Sequence, residues 1–288
     1  MRVVRSRTEV RCRWARVLVA SCVLLCAVVV RAAPTYPWLD ERKQRDRLED
    51  RFPAPLGFSR IDVAEGSFSA WLRGLPLSPA GEKVRAFDGR EISARAAAVV
   101  ALDVGARDLQ QCADSIIRLR AEYLFSTSKL DGIAFHFTNG HLAPFSRWAK
   151  GERPRVDKQN RVRWEKRGEP SSSHESLRAY LDAVYQWAGT ASLAAYTPKA
   201  KLQDLRPGDF FVLGGFPGHA VVVLDVAKAA DGRRKVLLGQ GFMPAQSFHV
   251  IAGDDGAWFD IDEKARGIEL PTWHKPFPWT SLRRFALD

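Results

Sequence analysis

The start of this 288-residue chain constrains it most. Residues 1–16 carry Arg2, Arg5, Arg7, Arg11, Arg13 and Arg16, and residues 17–30 follow as an unbroken apolar run, VLVASCVLLCAVVV. Small residues surround Arg31 before Pro34. A basic head, an apolar stretch shorter than the roughly 20 residues that span a bilayer, and a small-residue exit form the pattern of a secretory signal. Cleavage is expected near Ala32 or Ala33. Two other readings stay open: a lipoprotein box at Val19-Ala20-Ser21-Cys22, and an uncleaved anchor held by Arg31. On the first reading the rest of the chain folds after export, in the periplasm or cell envelope, with no stable transmembrane domain.

The remainder is globular in composition. The chain is 46% hydrophobic and 27% charged, which excludes both disorder and a multi-span membrane protein. Its net charge is +11; seven arginines and one glutamate lie in residues 1–32, leaving +5 for residues 33–288. Residues 147–167 alone hold nine Lys or Arg against Glu152, Asp157 and Glu165. They are expected as a solvated, flexible insertion, with binding of an anionic glycan, lipid headgroup or wall polymer as the alternative. Of four cysteines, Cys12, Cys22 and Cys26 precede residue 33, so Cys112 has no internal partner.

Three regions are expected: the signal at 1–32, a charged and proline-rich arm at 33–56, and one α+β domain at 57–288. Ser67 caps a short helix, SFSAWLRGL, ending at Gly74. A hairpin is expected around Asp88-Gly89, and a buried strand over 96–104. Asp108 opens the clearest helix, DLQQCADSIIRLRAEYLF, whose apolar residues fall near helical spacing and whose Arg118, Arg120 and Glu122 form a charged, paired face. A second helix covers 175–187. The last third has four short apolar strands at 209–213, 219–226, 235–241 and 248–251. Helices before strands argue for α+β rather than alternating βαβ.

The candidate chemistry centres on Cys112. A helix N-terminus stabilises the thiolate, so the position suits a nucleophile; a small buried residue filling the core is the alternative. His219 opens an apolar strand after the Gly-rich bend GGFPG, placing an imidazole at a sheet rim where it could accept a thiol proton. Gln240, on the returning strand, shares His219's face if the intervening turn is centred half a residue from Asp231, and faces away if it is centred on Asp231. His136 and His141 flank the Asn139-Gly140 turn as surface polar groups. No spacing of metal ligands, phosphate-binding Gly loop or nucleic-acid motif is present, so no metal, cofactor or nucleic-acid partner is expected.

Two resemblances emerge from these stretches. LQQCADSIIRLRAEYL, AGTASL, GGFPGHAVVVLDVA, MPAQSFHV and WLRGLPL resemble an uncharacterised exported bacterial family, domain of unknown function 4846. YLDAVYQWAGTASL, LQDLRPGDFFVL and GHAVVVLDV together resemble NlpC-type cell-wall peptidases of the papain-like class. The second resemblance implies a papain-like fold, helices followed by a small antiparallel sheet or half-barrel, with His219 as base and Gln240 as third polar residue. The nucleophilic cysteine of that class would fall near Ser176-Leu177, where this chain has none. Cys112 would then supply the thiol from an earlier helix, the scaffold would be non-catalytic, or Ser176 would stand in. The resulting expectation is a cysteine hydrolase, amidase or peptidase, acting on cell-envelope material such as peptidoglycan. Its alternative is a non-catalytic module binding a wall component or anionic glycan.

Overall fold

The computed structural model describes residues 34–39 and 45–286. The signal at 1–32 and part of the charged arm lie outside the described residues. Tyr36 and Trp38 pack on Trp71, with ring centroids 5.1 and 5.9 Å away. Helix α1 (Leu48–Arg51) and strand β1 (Phe58–Arg60) lead to α2 (Phe68–Arg73). Ser67 caps α2 by accepting the Ala70 N–H at 3.2 Å, and Gly74 closes it. Around Asp88-Gly89 the chain makes a tight turn with a single bridge, Arg85 to Glu91, instead of a two-stranded hairpin. Strand β2 is shorter than expected (Ala96–Val99).

Helix α3 (Cys112–Ser126) begins four residues later than Asp108 would set it. Asp108 is used elsewhere: its Oδ1 accepts the Ala245 N–H at 2.7 Å and the Gln111 amide at 3.0 Å. The cap falls instead on Gln111, whose N–H is held by Asp114 Oδ2 at 3.1 Å. Every residue from Cys112 to Leu124 is buried, so the expected charged, paired face is internal. Burying charge is unfavourable unless it is paired and hydrogen-bonded. Arg118 is satisfied by Glu122 at 2.5 Å, Gln110 at 3.0 Å and Asp103 at 3.0 Å, and His174 completes Glu122 at 2.9 Å.

A small hairpin, β3 (Ala134–His136) and β4 (Leu142–Pro144), precedes α4 (Phe145–Ala149). The basic run is mostly a second hairpin, β5 (Glu152–Val156) with β6 (Val162–Lys166). Arg153 anchors it over the Trp148 ring at 3.8 Å, while Arg155, Lys158, Arg163 and Lys166 stay exposed. Helices α5 (His174–Tyr185) and α6 (Thr190–Tyr196) come next.

The remaining strands are β7 (Phe210–Leu213), β8 (His219–Ala229), β9 (Arg234–Gln240), β10 (His249–Ile251), β11 (Trp258–Ile261), β12 (Gly267–Ile268), β13 (Phe277–Pro278) and β14 (Leu282–Arg283). The main sheet runs β14-β7-β8-β9-β10-β2, with β1 added to β8 and β11 to β9, and all its pairs are antiparallel. The class is therefore α+β. Both faces are covered. Ala220, Val222 and Leu224 pack with Ala113 and Ile116 of α3, whereas Val221 and Val223 pack with Phe277 and Leu282. The described residues cluster as one compact unit.

Strand β8 changes register midway. The outer pairs, Ala227 with Lys235 and Lys228 with Arg234, centre the hairpin on Asp231. That register alone would set Gln240 across from Val222, on the α3 side. Leu224 is an extra, unpaired residue, a β-bulge between Val223–Leu238 and Asp225–Leu237. Beyond it Val222 pairs with Gly239, which sets Gln240 across from Val221 and on His219's face.

Candidate functional site

His219 is the first residue of β8, held by the pair Leu213–His219 and buried at 1% exposure. Its ring stacks on Trp273 at 4.7 Å and meets the edge of Phe242 at 4.8 Å. Gln240 ends β9, and its Oε1 lies 2.8 Å from His219 Nε2. Thr272 adds its hydroxyl to the same oxygen at 3.2 Å. The amide continues the network, with Gln240 Nε2 at 3.2 Å from His249 Nε2 on β10. His249 Nδ1 lies 3.0 Å from the Ser247 carbonyl. A carbonyl accepts only, so His249 Nδ1 donates and its Nε2 accepts from Gln240. Gln240 Oε1 therefore accepts from His219 Nε2–H, and the lone pair of the neutral imidazole is on Nδ1. Among the described residues, Nδ1 of His219 has no hydrogen-bond partner. Burial pushes the His219 pKa down to about 4, against the Gln240 hydrogen bond, which favours the cation.

Sequence reasoning missed His249. The signal was a polar residue in the apolar run Phe248–Ile251, at the strand spacing that places it on Gln240's face.

Cys112 is the first residue of α3, 5% exposed and unpaired. Its sulfur sits against the N–H of Ala220, the residue after His219. Glycine makes this approach feasible: a side chain at Gly241 would strike Ser115 Oγ and the Gln111 carbonyl of the first helical turn. The N–H groups of Ala220, Ala113 and Cys112 itself favour the thiolate, but desolvation outweighs them and pushes the pKa up to about 11. Thiol and imidazole are thus both neutral near pH 7. They also approach β8 differently, since Cys112 comes from the α3 side while the His219 ring lies among Trp273 and Phe277 on the other face. Among the described residues no hydrogen bond joins the sulfur to the ring.

Two large apolar side chains flank the rim. Phe216, on the loop before His219, is 96% exposed, and Met243, after Gln240, is 41% exposed. The other candidates fall elsewhere. Ser176 Oγ donates to the Ser171 carbonyl at 2.9 Å in the first turn of α5. His136 stacks on Tyr196 at 4.8 Å, and His141 Nε2 accepts the Trp164 indole N–H at 2.9 Å. Asp209 is clamped by Arg284 at 2.6 and 2.8 Å. No cluster of metal-ligating side chains occurs among the described residues, and none of their helices is long and apolar enough to cross a membrane.

A family model described as a domain of unknown function, 4846, matches residues 48–284. The chain belongs to the DUF4846 family. The DUF4846 match begins with α1, ends at the arginine that clamps Asp209, and takes in Cys112, His219, Gln240 and His249. No curated protein and no solved structure matches the chain.

Proposed function

We propose that this DUF4846 chain is an exported cysteine hydrolase of papain-like type that cleaves an amide in cell-envelope material, with peptidoglycan peptides as the substrate class. The observation that carries this reading is the polarised network from Ser247 to His219. It leaves a neutral imidazole with its basic lone pair on Nδ1, one residue from the N–H that meets a thiol at a helix N-terminus. In the reaction the thiol proton passes to Nδ1 as sulfur attacks the amide carbon. Imidazolium then protonates the departing amine, and water, deprotonated by His219, hydrolyses the thioester and restores the thiol. Gln240 holds the ring through both transfers. Cys112 comes from the α3 side of β8, and the His219 ring lies on the other face. The start of α3 and the His219 rim must therefore shift together on substrate binding to bring sulfur to Nδ1.

The test uses the purified full chain on peptidoglycan sacculi, with released peptides measured by mass spectrometry. Fragments from the wild type that vanish in Cys112→Ala and in His219→Ala are expected. Release by Cys112→Ala at the wild-type rate overturns the assignment.

The buried, neutral thiol favours a second reading, a non-catalytic papain-like module that docks a wall polymer through the exposed β5–β6 cations. Retention on sacculi that survives both substitutions, with no fragments released, supports it.

A further inference from the structure

We infer that His249 is a positioning residue that acts through Gln240 to decide which nitrogen of His219 carries the proton. The inference rests on the reading of His219 as the base. An amide is symmetric enough in shape to sit either way round, so Gln240 by itself does not choose. With Oε1 toward His219 it accepts and leaves Nδ1 basic. With Nε2 toward His219 it would donate to the ring's Nε2 lone pair and force the proton onto Nδ1, the atom that must receive the thiol proton. The choice is made at the far end. Ser247's carbonyl, 3.0 Å from His249 Nδ1, can only accept. It fixes His249 as the Nδ1–H form and presents a lone pair to Gln240 Nε2 at 3.2 Å. Reversing the amide would set Gln240 Oε1 against that lone pair, two acceptors without a proton between them.

The surroundings keep the network in register. Gln240 and His249 are directly paired across β9 and β10, and both are buried, as is His219. Trp273 stacks on the His219 face, Phe242 meets it from a second side, and Thr272 gives Gln240 Oε1 a second donor. The imidazole therefore has little room to reorient, and its protonation pattern is governed by the amide. No step in the proposed reaction requires His249 to touch substrate.

The experiment reads tautomers directly, by long-range nitrogen–proton correlation spectra of the full chain labelled with nitrogen-15 histidine. His219→Gln and His249→Phe identify the two rings. Wild-type His219 is expected as Nε2–H and His249 as Nδ1–H. In His249→Phe the His219 signals are expected to move toward a mixture containing the Nδ1–H form. His249→Gln, which keeps an acceptor near the Nε2 position, should retain more of the Nε2–H form. An Nδ1–H His219 in the wild type, or an unchanged His219 tautomer in His249→Phe, overturns the inference.

Should His249→Phe fail to fold, Gln240→Glu gives the same information. A carboxylate still accepts from His219 but cannot donate to His249. His249, its Nδ1–H still held by the Ser247 carbonyl, should therefore gain a second proton on Nε2 and become imidazolium while His219 keeps Nε2–H. An unchanged His249 would overturn the inference. None of these readouts needs turnover. Absence of peptide release with the tautomer shifts present counts against the hydrolase alone.

Discussion

Replacing Asp114 with asparagine tests the electrostatics of the first turn of α3, where the candidate thiol sits. Asp114 is buried, its Oδ2 accepts the Gln111 N–H, and its Oδ1 has no partner among the described residues. Burial raises its pKa from 3.8 to about 8, against the N–H groups of Gln111 and of Asp114 itself. An acid raised in the folded state keeps its proton there while the unfolded chain releases it above 3.8. Stability is therefore lost as pH rises from 3.8 toward about 8. Each pH unit in that window corresponds to about 1.4 kcal/mol, so the loss between about pH 5 and about pH 8 is on the order of 4 kcal/mol. The asparagine side chain does not titrate. Its constant effects, including an amide N–H₂ placed where Oδ1 lacked a partner, cancel when the variant is compared with wild type at two pH values. Urea unfolding should show the variant gaining on the wild type by that amount between the two pH values, a midpoint difference of more than about 1 M for m near roughly 3 kcal/mol/M. Asp114 also raises the Cys112 pKa, so the alkylation rate of the thiol should rise at lower pH in the variant. A stability difference that does not change with pH would refute the burial argument.

Three other outcomes rest on the same geometry. His219, depressed from 6.5 to about 4 by burial, resists protonation when folded, so its contribution is intact above 6.5 and is lost as pH falls toward about 4. The loss is about 3 kcal/mol, and a wild-type urea midpoint that falls no more steeply than that of His219→Gln over this window would contradict it. Phe216→Ala and Met243→Ala remove exposed apolar groups at the rim, so stability should stay within about 0.5 kcal/mol of wild type in thermal melting while the apparent KM for sacculi, read by peptide release, rises. An unchanged KM removes the rim from substrate binding. Reversing Arg163 and Lys166 to glutamate on the exposed hairpin should weaken sacculus binding and flatten its salt dependence, measured by sedimentation at low and moderate salt.

Much of the fold was legible in local chemistry. Ser67 as a cap, Gly74 as a stop and the apolar runs of β7 to β10 each obey short-range rules, and each stands where those rules set it. The start of α3 was not legible, because Asp108 is drawn to the Ala245 N–H by a contact between residues distant in sequence. Arg118 and Glu122 read as members of a charged, paired face at helical spacing, but spacing alone did not say that the face is buried. A helix buried on every side has no polar face, and only the Asp103, Gln110 and His174 partners reveal how its charges are satisfied. For the candidate site, Cys112 at the start of a helix and His219 at the start of a strand were legible from local pattern, and stand at those positions, whereas the face taken by Gln240 depended on a bulge that alternation cannot show. The NlpC-like pattern pointed to a nucleophile near Ser176, but α3, not α5, supplies the residue beside β8.

The extra residue at Leu224 divides the β8–β9 hairpin into two halves of different register. The outer half keeps Asp225 on Arg60 and Arg73, at 2.5 and 2.7 Å; the inner half keeps Gln240 on His219. Because the bulge sets the parity, the loop at Ala230-Asp231-Gly232 can be cut, lengthened or used as the termini of a permuted chain without turning Gln240 over. Deleting Leu224 is the lesion the molecule cannot absorb. One half must then rotate by a residue, and the protein would lose either its buried arginine clamp or its histidine–glutamine pair.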